Sequence, residues 1–287
     1  TLLVRGGQRS PRTSSEARFP RCCLTPNAHH TFIRVIICPV VLPILASRPS
    51  VLSYSYVIIL KGKSSIGVLG VTDRAVVVDA FTEMAATYEQ TVDWEIRQLW
   101  GIGYREFIQQ FLTRIELRGG QRVLDVATGT GVIPMALLGT AEWHGSVVGL
   151  DLTPAMLTHA QRNIEGDRAG ARATLVCGSG LRLPFANRVF DVAVCALGTH
   201  HMQPRELLGE MHRVLRTGGR VLVADVARTD FWRTALGRVF LSGMIAWYGL
   251  TKGGARLKAE VDAIDNLLTV DGWQDVMQQV GFAGVRL

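Results

Sequence analysis

Two acidic residues and a pair of glycines near the middle of the chain have the types and spacing of a ligand-binding site. Asp125 lies in an apolar run that gives way at once to Gly129 and Gly131. The glycines let the backbone turn tightly and approach a ligand without an intervening Cβ atom. Asp151 follows 20 residues beyond Gly131, at the end of the next apolar run. A carboxylate at that position can accept hydrogen bonds from both hydroxyl groups of a ribose, so the pattern predicts a nucleoside-type ligand.

The spacing of the glycine turn separates it from two common phosphate-binding loops. A dinucleotide fingerprint needs a third glycine where Pro134 stands, and a Walker loop needs a Gly-Lys pair, which this stretch lacks. An NAD(P)-dependent oxidoreductase is therefore the weaker enzyme interpretation. Taken alone, the glycines are also compatible with a plain turn between a strand and a helix.

Two adjacent histidines, His200 and His201, follow a later apolar run and are candidates for proton transfer. An imidazole titrates near neutral pH, so it can take a proton from a reacting group. The alternative is that they cap the loop or pack beside the next helix, and the sequence leaves both interpretations open.

The elements that position these residues alternate along the chain. Short Val-, Leu- and Ala-rich runs predict strands at 123–126, 146–150, 173–177, 189–196 and 219–226. Helical periodicity predicts helices at 80–88, 94–112, 132–139, 154–164, 205–215 and 270–280. Continuous apolar strands that alternate with helices indicate a doubly wound α/β domain with a mostly parallel sheet. Ligands of such sheets bind at the carboxyl ends of the strands, where Asp125 and Asp151 stand.

The first quarter of the chain differs from the rest. Residues 1–75 carry 10 Lys or Arg against 2 Asp or Glu, whereas residues 76–287 carry 21 against 22. The net charge of +7 therefore belongs to the N-terminal segment, and we predict no nucleic-acid partner. Prolines interrupt its apolar runs, which are too short to span a membrane. We expect residues 1–75 to be a poorly ordered extension, or a segment outside the working protein, rather than an anchor.

The five cysteines show no C-x-x-C spacing and suggest neither a disulfide framework nor a zinc site, so we predict no metal. Cys177 and Cys195 lie in apolar runs. They are expected to be buried free thiols in a reducing, cytoplasmic compartment.

Four ordered motifs resemble those of a known family. They are V-L-D-V-A-T-G-T-G from Val123, V-V-G-L-D-L-T-P-A-M-L from Val147, L-P-F-A-N-R-V-F-D-V-A-V from Leu183 and R-V-L-R-T-G-G-R-V-L-V-A-D-V from Arg213. Together they are similar to class I S-adenosylmethionine-dependent methyltransferases, with a Rossmann-like fold. The menaquinone/ubiquinone-biosynthesis C-methyltransferases and their small-molecule relatives show the same pattern. The resemblance is strong over about residues 80–227 and weaker beyond.

The resemblance implies a set of residues that bind S-adenosyl-L-methionine. The segment 125–131 would hold its methionine part, Asp151 its ribose and Leu152 its adenine. Ser179 stands where relatives place an aspartate toward the adenine amino group, so a weaker contact is expected there. The cofactor-binding residues expected on this basis are Asp125, Ala127, Thr128, Gly129, Gly131, Asp151, Leu152, Ser179, Gly180 and Ala196.

The resemblance also suggests catalytic candidates. The end of the fourth predicted strand faces the transferable methyl group in this family, which places His200 and His201 beside an acceptor. Tyr88 resembles a position that closes over the cofactor, and the alternative for it is an aromatic side chain in the core.

The same resemblance divides residues 76–287 into four parts. These are N-terminal helices at 76–118, a cofactor-binding core at 119–228, a helical insert at 229–270 and a C-terminal helix and strand at 271–287. The aromatic and aliphatic content of the insert favours a small hydrophobic acceptor, such as a quinone precursor, over a peptide or nucleic acid. Peripheral membrane contact, the oligomeric state and the choice among C-, O- and N-methylation stay open.

The C-terminal strand raises an alternative to an active enzyme. Relatives pair this strand with one more, inserted antiparallel beside the fifth predicted strand, and no residues remain to form it. We therefore expect an exposed strand edge or a truncated chain. A non-catalytic or truncated cofactor-binding module is the second functional hypothesis.

Overall fold

The structure, a computed structural model, describes residues 32–37, 74–165, 168–228, 234–251 and 254–286. Its strands are β1 (Phe32–Ile37), β2 (Arg122–Val126), β3 (Ser146–Asp151), β4 (Ala173–Cys177), β5 (Phe190–Ala196), β6 (Leu215–Asp225) and β7 (Val285–Arg286). Its helices are α1 (Arg74–Met84), α2 (Tyr88–Trp100), α3 (Tyr104–Leu112), α4 (Val132–Leu138), α5 (Pro154–Glu165), α6 (Pro204–Val214), α7 (Ala235–Thr251), α8 (Gly254–Ala263) and α9 (Val270–Val280).

The strands form one parallel sheet in the order β4-β3-β2-β5-β6-β1-β7. Side chains alternate between its two faces. In β2, Leu124 belongs to the core that includes residues of α6 and α9, whereas Val123 belongs to the core that includes residues of α3 and α4. Both are fully buried. A strand covered on both faces must be a continuous apolar run, so the pattern that predicted a doubly wound α/β fold is confirmed.

The strand order reverses at the centre of the sheet. From β2 the chain moves to β3 and β4 on one side, then returns to β5 and β6 on the other. Asp125 of β2 faces Gly149 of β3 and Val194 of β5. Such a switch point opens a crevice at the carboxyl ends of the central strands.

A strand from the N-terminal segment corrects one expectation. The sequence predicted no further strand beside the fifth predicted strand, which is β6. In the structure β1 lies parallel to β6 there, with Phe32 opposite Arg220 and Ile37 opposite Asp225. The C-terminal strand β7 pairs with β1, not with β6. The remainder of the predicted extension up to residue 73 lies outside the described residues, and so do residues 229–233 and 252–253 of the predicted insert.

Two smaller details also differ from expectation. Cys195 is a buried free thiol as predicted, but Cys177 is exposed because it ends β4, the edge strand. The predicted strand at 219–226 begins earlier than expected: α6 ends at Val214 and β6 begins at Leu215, so Gly218 and Gly219 lie within the strand. In the part of the chain that the structure describes, no helix has the length and apolar composition needed to cross a bilayer.

Candidate functional site

The loop between β2 and α4 turns through backbone conformations that favour glycine. Gly129 and Gly131 have φ angles of 55° and 80°, and Ala127 has a φ of 58°. A Cβ atom on Gly131 would lie 3.0 Å from the Cβ of Ala160 in α5. Gly131 is therefore required both by its conformation and by the close approach of α5.

Asp151 ties the end of β3 to this turn. The Gly129 N–H donates to Asp151 Oδ2 at 2.8 Å, and the Thr153 N–H donates to Oδ1 at 2.8 Å. Asp151 is only 8% exposed. Burial raises the pKa of its carboxyl, although the two backbone N–H groups oppose the shift. The structure thus brings together the carboxylate and the glycine turn that the sequence predicted to share a ligand.

Asp125 lies deeper and is incompletely paired. It is fully buried, and its Oδ2 accepts a hydrogen bond from Thr128 Oγ1 at 2.6 Å. Its Oδ1 has no hydrogen-bond partner among the described residues. Burial raises the pKa of Asp125 to about 8, with the charge of Asp151 adding to the shift and Thr128 opposing it. A cationic amino group, such as that of a methionine moiety, would complete this pairing.

The ends of β2 and β5 touch at the switch point. Leu197, which follows β5, has a φ of 55°, and Ala127, which follows β2, has a similar φ of 58°; positive values are unusual for residues other than glycine. A Cβ atom on Gly198 would lie 2.7 Å from the Cβ of Ala127. Strained backbone of this kind clusters at ligand sites in proteins. The predicted residue Ala196 is the last residue of β5 and is half-buried beside this contact.

The residues predicted to face the adenine follow β3 and β4. Leu152 is half-buried directly after Asp151, and the Gly178 N–H donates to the Asp151 carbonyl oxygen at 2.9 Å. Ser179 Oγ accepts a hydrogen bond from the Leu181 N–H at 3.2 Å, so the hydroxyl is held by its own turn and its O–H stays available to donate. A Cβ atom on Gly180 would lie 2.9 Å from Val126 Cγ1.

Tyr88 covers the glycine turn from the N-terminal helices. Its Cε1 lies 3.7 Å from the position of a Cβ atom on Gly129. Its ring contacts those of Phe81 and Tyr104, with centroids 6.2 and 6.4 Å away. Burial, together with the negative charge of Asp151, raises the pKa of the Tyr88 hydroxyl. The side chain therefore stands neutral at the entrance to the crevice.

His200 forms a buried ion pair with Asp225, the last residue of β6. His200 Nδ1 lies 2.7 Å from Asp225 Oδ1, and the same carboxylate accepts the N–H groups of Thr199 and Val226 at 2.7 Å each. Burial alone would lower the pKa of His200, but the charge of Asp225 outweighs it and raises the pKa to about 9. Burial alone would raise the pKa of Asp225, but the His200 imidazolium outweighs burial and lowers this pKa to about 2. His200 thus holds a proton at neutral pH and cannot serve as a base there.

His201 has the opposite character. Burial lowers its pKa well below the usual value, and the neighbouring charge of His200, whose ring centroid lies 4.1 Å away, adds to the shift. Its Nδ1 has no hydrogen-bond partner in the described chain. The ring packs edge-on against Phe81 at 5.1 Å. Of the two predicted histidines, His201 is the neutral one, although the same surroundings make its imidazole a weak base.

Helix α8 adds charged residues to the site that the sequence motifs did not indicate. Arg256 is 4% exposed, and its guanidinium donates to both carboxylate oxygens of Glu95 at 2.9 Å. Glu260, one turn further on, lies 3.9 Å from the same guanidinium, and burial raises the pKa of its carboxyl. Asn266 donates to the His200 carbonyl oxygen at 3.0 Å. The contacts of Arg256 with Glu95 and of Asn266 with His200 are tertiary, so no local spacing could have revealed them. Glu260 stands four residues after Arg256 on the same helix, and Asp225 stands at a strand end, so these two acids could have been found from the sequence.

Three of these side chains, His200, His201 and Glu260, lie close enough together to hold a metal ion. One ring nitrogen each of His200 and His201 and one carboxylate oxygen of Glu260 lie within 4.8 Å of one another, and this is the single such group of three or more among the described residues. The expectation that the protein uses no metal stays a prediction.

Comparison with known proteins places this site in a family. Residues 123–219 match a family model described as a methyltransferase domain. The ubiquinone/menaquinone biosynthesis C-methyltransferase UbiE of Geobacter sp. (strain M21) is 30% identical over 176 residues, which cover 60% of this chain and 75% of that protein. UbiE of Roseobacter denitrificans is 34% identical over 152 residues, which cover 52% of this chain and 58% of that protein. The chain thus spans less than two thirds of the second relative's length.

A solved structure shows the same fold. The phosphoethanolamine N-methyltransferase 2 of Haemonchus contortus, in complex with phosphomonomethylethanolamine and S-adenosylhomocysteine, is similar with a TM-score of 0.53 at 18% identity. The match covers 75% of this chain and 45% of that one. The chain belongs to the class I S-adenosylmethionine-dependent methyltransferases, and its cofactor is S-adenosylmethionine. Within that class it resembles the UbiE C-methyltransferases.

Proposed function

We propose that this protein transfers a methyl group from S-adenosylmethionine to a carbon atom of a small apolar acceptor, a quinone precursor in its reduced, phenolic form. The observation that carries the proposal is the contact between Asp151 and Gly129 at the switch point, because it forms one cradle from two strand ends. The names of the relatives, C-methyltransferases of ubiquinone and menaquinone biosynthesis, support the choice of acceptor.

The residues of the crevice fit the cofactor's parts. When bound, S-adenosylmethionine supplies an electrophilic methyl group on a positively charged sulfur. The free Oδ1 of Asp125 would pair with its amino group, and Asp151 has lone pairs left for the ribose hydroxyls after accepting two N–H groups. Ser179 would face the adenine. Tyr88 would cover the ligand and exclude water, which favours a displacement in which charge is dispersed.

Methylation at carbon also requires loss of a proton from the acceptor. His201 would take it, because it is the neutral histidine of the pair and its Nδ1 is free of hydrogen bonds within the described residues. His200, held as a cation by Asp225, would act as a hydrogen-bond donor toward an acceptor oxygen. Alignment of the two ligands supplies much of the rate in a displacement of this kind.

Calorimetric titration with S-adenosylhomocysteine tests the cofactor site. We expect Asp151→Ala to weaken binding by about tenfold to a hundredfold, since it removes charge-assisted hydrogen bonds worth about 1.5–3 kcal/mol. Asp271→Ala, which removes an exposed carboxylate in the first turn of α9, is the matched control and should bind normally. Normal binding by Asp151→Ala would remove the proposed cradle.

Transfer of a labelled methyl group to a demethylated quinol tests the reaction. Analysis of the product by NMR distinguishes a new carbon–methyl bond from an O-methyl ether. His201→Gln should lower kcat with little change in binding of S-adenosylhomocysteine. Tight cofactor binding without transfer to any phenolic acceptor would favour the non-catalytic module.

A further inference from the structure

Three side chains from two distant parts of the chain meet beside the crevice. His200 and His201 follow β5, and Glu260 lies on α8. One ring nitrogen of each histidine and one carboxylate oxygen of Glu260 lie within 4.8 Å of one another, and all three residues are half-buried. We call these three residues the histidine–glutamate cluster. Two imidazoles and one carboxylate form a ligand set that binds zinc in proteins.

Asp225 holds His200 in the way that a metal-binding histidine is commonly held. His200 Nδ1 lies 2.7 Å from Asp225 Oδ1, and the same carboxylate accepts the N–H groups of Thr199 and Val226. A metal-binding histidine almost always donates its other ring N–H to a carboxylate, carbonyl or water, which fixes the ring and makes the ligand nitrogen more basic. Because Asp225 engages Nδ1, Nε2 is the nitrogen that His200 would offer to a metal.

His201 has a nitrogen that is not committed to another group. Its Nδ1 is buried and has no hydrogen-bond partner among the described residues. Buried polar atoms in proteins are nearly always paired, so such an atom needs an explanation. Burial also favours the neutral imidazole by lowering its pKa, and the neutral imidazole is the form that binds metals. The ring of His201 is therefore in the state that a metal ion requires.

The charges around the cluster suit a divalent cation. Asp225, Glu260 and Glu95 supply three negative charges when ionised, against the positive charge of Arg256, which is bound to both oxygens of Glu95. With neutral imidazoles, an ion of charge +2 would balance the two negative charges that remain. The ion must displace one proton from the His200 imidazolium, which lowers the affinity without removing the site.

The spacing of the ligand atoms is wider than that around a bound ion. Ligand atoms at about 2.0–2.2 Å from a tetrahedral zinc ion lie about 3.4 Å from one another. The atoms of the cluster would therefore need to close by at most about 1.4 Å from their 4.8 Å limit. The long side chain of Glu260 can supply this movement, since its contact with Arg256 is loose at 3.9 Å.

We propose that the histidine–glutamate cluster binds a zinc ion, with water as the fourth ligand. The ion would stand beside the crevice, because the ring of His201 contacts Phe81 and that of Phe81 contacts Tyr88. Its effect on catalysis rests on the proposed function: zinc takes the lone pair with which His201 would accept a proton, so bound zinc inhibits methyl transfer. The site itself rests on the cluster alone.

Calorimetric titration of the metal-free full chain with Zn²⁺ tests the site. The variants His201→Gln and Glu260→Gln should each bind Zn²⁺ about 10–100-fold more weakly, since loss of even an outer partner of a metal ligand costs that much. Asp225→Asn should weaken binding by a similar factor. His144→Gln, which removes an exposed histidine, is the matched control and should bind as the wild type does. Binding of S-adenosylhomocysteine by each variant checks that it is folded.

Methyl transfer separates the metal site from the proposed function. One equivalent of bound Zn²⁺ should lower the transfer rate at least about tenfold, and Glu260→Gln, which keeps both histidines, should need about 10–100-fold more Zn²⁺ for the same inhibition. Zinc binding at the cluster in a protein that transfers no methyl group would keep the site and remove the proposed function. Transfer that is unchanged with the cluster occupied would keep the site and remove the role of His201 as base.

Two results would overturn the metal site. One is wild-type protein that does not bind Zn²⁺. The other is normal Zn²⁺ affinity in both His201→Gln and Glu260→Gln, because the ion would then bind elsewhere in the chain.

Discussion

Three aspartates at neighbouring strand ends show how surroundings decide the state of one residue type. Asp225 faces the His200 imidazolium, and its pKa falls to about 2. Asp125 is equally buried but has no cation beside it among the described residues, and its pKa rises to about 8. Asp151 accepts two backbone N–H groups, which offset part of its burial. At the residue scale, the partners of each carboxyl group therefore decide whether it is charged at neutral pH.

Cofactor binding should release protons because of Asp125. Its pKa of about 8 keeps it largely protonated at pH 7 in the free protein, and an arriving amino group would favour the charged form. Calorimetric titration with S-adenosylhomocysteine should give different binding enthalpies in phosphate and in Tris. The difference should correspond to the release of up to about one proton, which the buffer takes up. Asp125→Asn, which cannot ionise, should remove the difference. Buffer-independent heats for the wild type would contradict this assignment.

Protein stability should fall at alkaline pH through His200. Its folded pKa of about 9 lies above the unfolded value of 6.5, so its contribution is complete below pH 6.5 and is lost as the pH rises through 9. The contribution is about 3 kcal/mol at most. Urea unfolding at pH 6 and pH 9.5 measures the loss, and His200→Gln should abolish most of it. An equal pH dependence in the variant would show that the ion pair contributes little.

At the element scale, the strands and helices of the cofactor-binding core could be predicted from the sequence, whereas most of their side-chain contacts with distant elements could not. Apolar runs and glycine turns are local signals, so β2, β3 and the turn that joins β2 to α4 follow from the sequence. The contact between Asp151 and Gly129 followed from topology, because adjacent parallel strands end at one edge. The pairing of α8 with α2 through Arg256 and Glu95 involves residues far apart in the chain, and neither has a motif. Strand β1 escaped prediction because prolines and basic residues surround its short apolar run.

The tether between α8 and α2 should contribute strongly to stability. Arg256→Met leaves Glu95 and Glu260 without their buried cation and should lower the free energy of unfolding by about 3–5 kcal/mol. The double variant Arg256→Met/Glu95→Gln should recover part of the loss, since one uncompensated charge is gone. Arg97→Met, which breaks the exposed pair with Asp93, is the control and should change stability little. Urea denaturation measures all three.

On the scale of the whole molecule, one sheet joins the two ends of the described chain. β1 separates β6 from β7, with Ile33 opposite Val285 and Val35 opposite Val223. The methyltransferase core is therefore bordered by a strand from the N-terminal segment. Without β1, β6 would present an open edge and β7 would have no partner in the described sheet.

Interrupting β1 should destabilise the protein. Val35→Pro removes a backbone N–H from a strand paired with β6 and should cost about 3 kcal/mol. Val35→Thr keeps the N–H and the β-branched side chain, and serves as the control. Thermal unfolding followed by circular dichroism measures both, and hydrogen exchange at β6 amides should accelerate in the proline variant alone. Unchanged exchange at β6 would argue against this pairing.

The interleaving of β1 between β6 and β7 also has a consequence for synthesis on the ribosome. Among the described strands β1 is synthesised first, and its partners follow much later, because Phe32 pairs with Arg220, 188 residues further on, and Ile33 pairs with Val285, 252 residues further on. Closing so distant a pairing is slow, since the entropy of the intervening chain must be lost before the contacts form. A nascent chain stalled before residue 215 would contain the glycine cradle and Asp151 but an unfinished sheet, and would be a natural client for chaperones that shield bare strands.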